Sequence, residues 1–415
     1  MTRRILTTLA LLLAVVVCAP AQQHDWLQQL EAHPEYLDGT DMLCPTGPVR
    51  LSPAPKGYKP FYLSHYGRHD GRYAWQQDLY DWLKDVFTAA KTAGNLTQSG
   101  EEFKRKYDLL YPEVRYRTGE LSQVGWHHQQ ELAERMYRNF PGVFQDGARV
   151  TARSSTSVRC VMTMSSFCLG LKGLNPGLDI EEFFGKVYTP AIIPLSSDNP
   201  FKKEHTRAPL LFDETWEHYV EHTVDYRTIL ARLFKDVDQA LPFDKQWNFT
   251  WYLYFLVNGM NSLGSDLDFS DVFTHEERIA LWKADCVQFY MYIWPDHPAY
   301  RGLVDDLIEK ADERIASGQK GADLRFGHDF TLTPLLMLLG VNGYDHKIAS
   351  PEEIPVWCRV SDIPMGANLH LVFYKSKKDP KIIFKVLLNG QEARLPLETT
   401  SWPYYDWAAF KARYQ

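Results

Sequence analysis

Hydrophobic positions in the first third of the chain follow two alternating periodicities. Short apolar runs that end at glycine or polar residues predict strands, whereas apolar residues recurring every three or four positions predict helices. In chain order they predict a strand at 60–66, helices at about 74–93 and 122–139, a strand at 148–153, and a helix after the hydroxyl residues 154–157. Strands that alternate with helices are typical of an α/β protein with a mostly parallel sheet and flanking helices.

The rest of the chain divides at about residue 320. Residues 180–320 give few strand signals and combine helical patterns with many aromatic side chains, as in a mainly helical insertion. A type I′ hairpin turn at Asn389-Gly390 joins the last two of four strands predicted at 322–327, 368–374, 381–388 and 391–397. We therefore predict an α/β domain formed by residues 22–179 and 321–415, and an insertion (cap) domain formed by residues 180–320.

The first 21 residues are typical of a secretory signal peptide. Two arginines precede an apolar run of 13 residues, 5–17, which is too short to span a bilayer. The small residues Ala19 and Ala21 occupy the positions that signal peptidase reads, so we expect cleavage after Ala21 and a secreted or periplasmic protein. Lipidation of Cys18 is the alternative, although the bulky Val17 precedes it.

Composition describes a globular protein and restricts its partners. Of the 415 residues, 45% are hydrophobic and 23% charged, which excludes a disordered, collagen-like or coiled-coil chain. The formal net charge of −7 argues against a nucleic-acid-binding surface, and no run after the signal segment is apolar enough to predict a membrane span. An anionic substrate would therefore need a local cluster of positive groups.

Five cysteines follow the signal segment. They include no Cys-x-x-Cys pair, which argues against a zinc or thioredoxin-type site. Their odd number leaves at least one thiol unpaired within a monomer, and Cys44 with Cys358 is the pairing that we predict if a disulfide forms.

The segment from Tyr66 to Tyr73 combines two arginines with one histidine at a strand-to-helix turn. Arg68 and Arg72 are suited to bind phosphate oxygens in a bidentate fork, and the neutral imidazole of His69 is a nucleophile that can accept a phosphoryl group. The C-terminal edge of a parallel sheet is where open α/β proteins bind ligands. A basic surface turn that happens to contain histidine is the alternative for this segment alone.

Two later segments carry related chemistry at strand ends. Arg153 ends the second predicted strand, ahead of a hydroxyl-rich helix start whose backbone N–H groups favour an anion. His328 and Asp329 follow the strand at 322–327 and precede another helix. Because parallel strands end at one edge of a sheet, these residues are predicted to join the first segment. Together they would form an anion site with a nucleophile and a proton donor, as phosphoryl transfer requires.

On these motifs the sequence resembles the histidine acid phosphatase branch of the histidine phosphatase superfamily. That branch carries an Arg-His-Gly-x-Arg motif after the first strand, an arginine after a later strand, and a His-Asp or His-Ala-Glu element near the C-terminal third. The matching residues here are 68–72, Arg153 and His328-Asp329, and residues 121–129 resemble the Gly- and Gln-bearing helix start of the family. The resemblance covers residues 58–400, including a helical insertion, and its motifs are specific when taken together.

The resemblance implies a role for each matched residue. His69 would attack phosphorus and become phosphohistidine, while Asp329 would protonate the leaving oxygen and then activate water. The phosphate oxygens would be bound by Arg68, Arg72, Arg153 and His328. No metal ion or other cofactor is implied, because the arginines neutralise the charge, and an acidic to neutral pH optimum is expected.

One position departs from the family pattern. Asp70 stands where the motif has glycine. A carboxylate beside a phosphate site is unfavourable unless it points away or pairs with an arginine such as Arg72, and we expect one of these two arrangements. The departure also raises a rival interpretation, a non-catalytic protein that binds phosphate esters.

Three other features carry less weight. A basic run early in the insertion is suited to contact further phosphates of a polyanionic substrate, or is a solvated loop. Its residues are Lys202, Lys203, His205 and Arg207. Arg159, six residues after Arg153, is interpreted as structural or supporting. His127 and His128 are interpreted as surface or packing residues and not as a metal pair, since adjacent side chains on a helix diverge.

The sequence thus predicts a secreted or periplasmic phosphomonoesterase that acts on a small phosphorylated molecule. Within the branch, phytases and multiple inositol polyphosphate phosphatases are the nearest substrate classes, which favours phytate and related inositol polyphosphates. His328-Asp329 matches the His-Asp pattern of acid phosphatases and many phytases, so a general acid phosphatase stays open. The signal segment and the large insertion argue against a mutase of the same superfamily.

Overall fold

The fold is built on a mixed β-sheet. The computed structural model describes residues 26–196, 216–293 and 297–415. Within these residues the sheet has eight strands in the order β3-β2-β4-β1-β5-β6-β7, and β8 pairs with β6. The strands are β1 (Tyr58–Arg68), β2 (Arg149–Ser154), β3 (Asp179–Phe184), β4 (Gly321–Gly327), β5 (Asn368–Ser376), β6 (Ile383–Leu388), β7 (Gln391–Ala393) and β8 (Tyr405–Asp406).

Strand direction divides the sheet into two halves. The neighbours β3, β2, β4 and β1 run parallel, whereas β5, β6, β7 and β8 are antiparallel to their partners. This arrangement, flanked by many helices, confirms the predicted α/β class. The predicted hairpin turn is also confirmed, since Asn389 and Gly390 both have positive φ angles, 51° and 84°, as a type I′ turn requires.

Helices surround the sheet. Those in the described residues are α1 (Trp26–Ala32), α2 (Asp78–Thr92), α3 (Gln98–Val114), α4 (Gln123–Asn139), α5 (Val158–Leu174), α6 (Trp216–Thr223), α7 (Tyr226–Leu233), α8 (Val237–Ala240), α9 (Phe243–Leu263), α10 (His275–Ile293), α11 (Arg301–Ser317), α12 (Asp329–Leu339), α13 (Ile354–Trp357) and α14 (Trp407–Tyr414). A 3-10 segment, Pro34–Asp41, follows α1. None of the helices in the described ranges is long and apolar enough to cross a membrane.

The register of β1 and β4 brings two loops to the same place. Arg68 at the end of β1 is paired with Gly327 at the end of β4. The backbone N–H of His69 donates to the Gly327 carbonyl oxygen at 2.9 Å, which extends the pairing by one residue. Both strands are buried where they meet. Because they run parallel and end at paired residues, the loops that follow them start side by side at one edge of the sheet.

Two hydrophobic clusters stabilise the fold. The smaller one packs α4 and α5 against the sheet, through side chains such as Leu63, Met136, Phe167 and Leu324. The larger one joins the sheet to α2 and α3 and to the helices of residues 216–293, through side chains such as Tyr62, Phe87, Phe103, Phe249 and Trp282. Helices of the predicted insertion therefore share a core with helices outside it, and the division into two domains stays a prediction.

Two features differ from the sequence expectations. Asp179–Phe184 forms strand β3 at the edge of the sheet, although its side chains are largely exposed. It was missed because its apolar residues Ile180, Phe183 and Phe184 do not alternate with polar ones, and backbone pairing with β2 makes it a strand. The predicted Cys44–Cys358 disulfide is wrong, since all five cysteines in the described residues are buried free thiols.

A pair of buried histidines lies inside the sheet. His65 of β1 faces His370 of β5 directly, with ring centroids 5.0 Å apart. None of the four ring nitrogens has a hydrogen-bond partner among the described residues. Burial lowers the pKa of His65 to about 3, and burial also lowers the pKa of His370 well below its ordinary value. Both rings are therefore neutral in the folded protein at moderately acidic pH.

This pair predicts an acid-sensitive fold. Below pH 6.5 the unfolded chain protonates these histidines while the folded chain does not, so stability falls as the pH drops toward 3. Between pH 7.5 and pH 5, we expect the free energy of unfolding to fall by about 2 kcal/mol less in His65→Leu than in the parent chain. Urea unfolding at the two pH values measures it, with the exposed His275→Gln as control. The same pH dependence in His65→Leu and the parent chain would contradict the assignment.

Candidate active site

The loops after β1 and β4 bring two histidines together. The ring centroids of His69 and His328 lie 5.4 Å apart in an edge-to-face arrangement. Asp329 follows His328 and begins α12, where its Oδ1 accepts the Phe330 N–H at 2.8 Å. The convergence that the sequence predicted for these two segments is therefore present in the structure.

His69 is held in one tautomer. Its Nδ1 lies 3.0 Å from the backbone carbonyl oxygen of Asp70. Because a carbonyl only accepts hydrogen bonds, Nδ1 carries the proton and Nε2 carries the lone pair. Burial, followed by the charges of Arg159, Arg68 and other cations nearby, lowers the pKa of His69 well below its ordinary value. The ring is thus neutral and nucleophilic at Nε2.

Arg68 is anchored from three sides. Its Nη1 donates to the carbonyl oxygens of Thr40 at 2.5 Å and Ile363 at 2.7 Å, and its Nη2 lies 2.9 Å from Asp329 Oδ2. The side chain has no solvent exposure, and its Nε has no partner among the described residues. Backbone carbonyls thus fix the guanidinium next to the acid, and Thr40 belongs to the N-terminal 3-10 segment.

Arg72 provides a second guanidinium on the same loop. Its Nη1 donates to the Tyr73 carbonyl at 3.2 Å, and its guanidinium carbon lies 5.4 Å from the centre of the Trp75 ring. The Nε is buried without a partner in the described part of the chain. Arg72 also acts on the pKa values of His69, His328 and Asp329, so its charge belongs to the cluster.

Arg153 does not join this cluster, which corrects the sequence expectation. Its guanidinium forms a bidentate ion pair with Asp306 of α11, at 3.0 and 2.9 Å. Arg325, its cross-strand neighbour on β4, binds the same carboxylate at 2.6 Å. Side chains alternate between the faces of a strand, and this register directs Arg153 toward α11 and away from the loop edge.

Arg159 provides the third guanidinium of the cluster. It lies in the first turn of α5, largely buried, with its Nη2 3.4 Å from His328 Nδ1. After burial, Arg159 is the strongest influence that lowers the pKa values of both His69 and His328. The sequence analysis interpreted Arg159 as structural or supporting; the structure places it beside His328, and its role there stays a prediction. The useful signal was its position just inside a helix that starts at the same sheet edge.

His328 and Asp329 have opposite electrostatic surroundings. Burial and then Arg159 lower the pKa of His328 to about 3, and its ring stacks on Phe330 at 4.6 Å. Burial raises the pKa of Asp329, but Arg68 and then His328 outweigh it, so the net pKa is lowered. In the absence of a ligand, Asp329 is therefore an ionised partner of Arg68.

Asp70 points away from the guanidinium cluster. Its Oδ1 accepts the Gly71 N–H at 2.7 Å, and its Oδ2 lies 2.6 Å from His128 Nδ1 and 2.5 Å from Gln129 Nε2. The first of the two expected arrangements is therefore correct, but the partner is a histidine and not Arg72. His128 is buried while its neighbour His127 is exposed, so the two side chains diverge as expected.

The basic residues Lys202, Lys203, His205 and Arg207 lie outside the described residues. Within residues 26–196, 216–293 and 297–415, no group of three or more His, Cys, Asp or Glu side chains is arranged to hold a metal ion.

The assembled cluster has a definite chemical capacity. Three guanidinium groups, those of Arg68, Arg72 and Arg159, are positioned to neutralise a dianion such as phosphate. They surround a neutral imidazole nucleophile, His69, and one carboxylate, Asp329, that can exchange a proton. This set is what in-line transfer of a phosphoryl group to histidine requires.

Comparisons with known proteins bear on the family and the fold. Residues 68–389 match the family profile described as histidine phosphatase superfamily (branch 2). The fold is similar to the multiple inositol polyphosphate phosphatase of Bifidobacterium longum in complex with phosphate. The TM-score is 0.73 and the identity 17%, over 91% of this chain and 97% of that chain.

A second solved structure is also similar. The phytase from D. castellii has a TM-score of 0.64 and 14% identity, over 92% of this chain and 84% of that chain. At these identities the two likenesses describe the fold alone. No curated protein sequence matches the chain.

Proposed function

The chain belongs to branch 2 of the histidine phosphatase superfamily, and we propose that it hydrolyses phosphate monoesters through a phosphohistidine intermediate on His69. The observation that carries the proposal is the orientation of His69. Its Nδ1–H is held by the Asp70 carbonyl at 3.0 Å, so Nε2 is the free nucleophilic atom among three guanidinium groups. Membership in the family supports phosphatase activity, and the intermediate is our own inference.

The proposed reaction has two steps. In the first, His69 Nε2 forms a bond to phosphorus, the bond to the ester oxygen breaks, and Asp329 gives its proton to that oxygen. In the second, Asp329 takes a proton from water, the water oxygen attacks phosphorus, and the bond to His69 breaks. Arg68, Arg72 and Arg159 neutralise the charge of the transferred group throughout.

The Arg68–Asp329 ion pair explains how an ionised acid becomes a proton donor. In the free site Arg68 lies 2.9 Å from Asp329 and lowers its pKa. A bound phosphate dianion competes for Arg68 and adds negative charge beside the carboxylate, and both changes raise the pKa of Asp329. Substrate binding therefore promotes protonation of Asp329, and acidic to neutral pH favours this step.

We favour inositol polyphosphates such as phytate as substrates, as the sequence resemblance implies. The support is the similarity to a multiple inositol polyphosphate phosphatase and a phytase, together with the basic residues Lys202, Lys203, His205 and Arg207. The N-terminal segment further supports a secreted or periplasmic location, which we propose on its sequence alone.

A general phosphomonoesterase is the second candidate, and aromatic rings beside the cluster favour it. The Trp75 ring beneath Arg72 packs edge-to-face on Phe255 at 4.7 Å. Phe330, stacked on His328, packs edge-to-face on the exposed Tyr292 at 6.1 Å. Such rings suit a planar or apolar leaving group better than a densely charged ring. Comparing kcat/KM for phytate, a sugar phosphate and an aryl phosphate separates the two candidates.

The nucleophile is tested with His69→Ala. Hydrolysis of an aryl phosphate should fall by about 10⁴-fold or more, and rapid quenching should no longer trap a phosphoenzyme. Circular dichroism should be unchanged, which separates loss of chemistry from loss of fold. Substantial residual turnover would contradict the mechanism, and absence of turnover in the unaltered chain would favour a non-catalytic binding protein.

The acid is tested with Asp329→Asn on two substrates. An alkyl phosphate needs protonation of its leaving oxygen, so its hydrolysis should slow by about 100-fold or more. An activated aryl phosphate leaves without a proton, so formation of the phosphoenzyme from it should slow much less. Single-turnover rates on both substrates measure the difference. Equal losses would mean that Asp329 is not the proton donor.

The corrected arginine assignment is tested with a matched pair. Arg159→Gln removes a guanidinium beside His69 and should lower kcat/KM by about 100-fold or more. Arg153→Gln breaks the Asp306 pair instead, so it should lower the midpoint of thermal unfolding and leave kcat/KM of the folded protein within threefold. The reverse pattern would restore Arg153 as the phosphate ligand.

A further inference from the structure

Both ring nitrogens of His128 face groups that accept hydrogen bonds. Nδ1 lies 2.6 Å from Asp70 Oδ2, and Nε2 lies 2.7 Å from the carbonyl oxygen of Cys44. Asp70 is itself the acceptor of the Gly71 and Gln129 N–H groups, which fits an ionised carboxylate. A carbonyl and a carboxylate cannot donate, so His128 carries hydrogen on both nitrogens and is an imidazolium cation.

The surroundings of this ion pair stabilise its charges. Asp70 has no solvent exposure and His128 is 7% exposed. Burial lowers the pKa of His128, but Asp70 outweighs it and the net pKa is raised. Glu131 on the same helix also favours the cation, while Arg135, one turn further along, donates to the Pro45 carbonyl. The pair is therefore a charged unit buried behind the loop that carries the nucleophile.

The pair is coupled to His69 through one peptide. The Asp70 carbonyl accepts His69 Nδ1–H at 3.0 Å, while the Asp70 N–H donates to Thr163 Oγ1 at 3.2 Å. The Asp70 side chain fits closely, since a Cβ added to Gly366 would lie 2.7 Å from Asp70 Oδ2. The side chain of Asp70 and its carbonyl belong to the same residue, so fixing the carboxylate restricts the carbonyl that orients His69.

We propose that the Asp70–His128 ion pair is a positioning device that orients the nucleophile and makes its orientation pH-dependent. The inference rests on the proposed function of His69. When His128 loses a proton, one of its nitrogens must turn a lone pair toward either the carboxylate or the Cys44 carbonyl. The pair then breaks, the Asp70 peptide is freed, and phosphoryl transfer slows at alkaline pH.

Single-turnover kinetics on an activated aryl phosphate test this proposal. Because this leaving group needs no proton, the pH profile of phosphoenzyme formation is insensitive to the acid Asp329. We expect His128→Gln to slow phosphoenzyme formation tenfold or more, to change KM less than threefold, and to lose the alkaline decline seen in the unaltered chain. The exposed neighbour His127→Gln is the matched control and should keep both the rate and the profile.

A double-mutant cycle and a spectroscopic measurement extend the test. If the two side chains act as one unit, the rate loss of the double variant Asp70→Asn/His128→Gln should be at least tenfold smaller than the product of the two single-variant losses. Nitrogen NMR of the unaltered chain labelled at histidine should detect one buried imidazolium at neutral pH that Asp70→Asn shifts. This measurement also serves if His128→Gln fails to fold.

The outcomes separate this proposal from the proposed function. If His69→Ala abolishes turnover but His128→Gln behaves like His127→Gln, the positioning proposal is overturned and the mechanism stands. The positioning proposal is equally overturned if single losses multiply in the double variant, or if no ring is doubly protonated at neutral pH. If turnover does not depend on His69, the proposed function itself fails.

Discussion

Burying several guanidinium groups side by side is the constraint on which the rest of the site depends. Like charges repel strongly in a low-dielectric interior, so each cation needs a partner before the substrate arrives. Arg68 obtains two backbone carbonyls and the carboxylate of Asp329. Asp41 adds a second buried carboxyl, whose pKa burial raises while Arg72 and Arg68 lower it. Asp329 and Asp41 can offset at most two of the three guanidinium charges, so the cluster keeps a net positive charge that suits a phosphate dianion.

This constraint assigns a role to a segment that carries none of the family motifs. Residues 34–41 lie outside the matched region 68–389, yet Thr40 supplies a carbonyl to Arg68 and Asp41 lies within reach of two arginines. Gly39 adopts a positive φ of 58°, and an added Cβ there would lie 3.0 Å from Asp285. The segment therefore passes close to the core with little room for a side chain. The segment thus contributes a carbonyl and a carboxyl group to the surroundings of Arg68 and Arg72.

Much of the fold and of the candidate site could be predicted from the sequence, and the predictions that were wrong failed for physical reasons. The turn with His69 and the pair at 328–329 were placed correctly, because parallel strands deliver their C-terminal residues to one edge. Arg153 was misplaced because motif spacing does not reveal which strand face a side chain occupies, and the arginine that joins the cluster lies six residues later, in the first turn of α5, at Arg159. The ion pair of His128 had no signal at all, since it joins residues 58 positions apart. Pairings of this kind depend on the tertiary fold.

In the proposed mechanism, burial also resolves a conflict between the protonation states of His69 and Asp329. A histidine of ordinary pKa is only about 3% neutral at pH 5, where a carboxyl begins to hold a proton. Burial and the neighbouring arginines keep His69 neutral there, so a free nucleophile and a protonated Asp329 can coexist once phosphate is bound. The same physics acts on His65 and His370, which take no part in the chemistry and only make acid costly for folding. Acid therefore destabilises the folded chain through these buried histidines at pH values where the ring of His69 is still neutral.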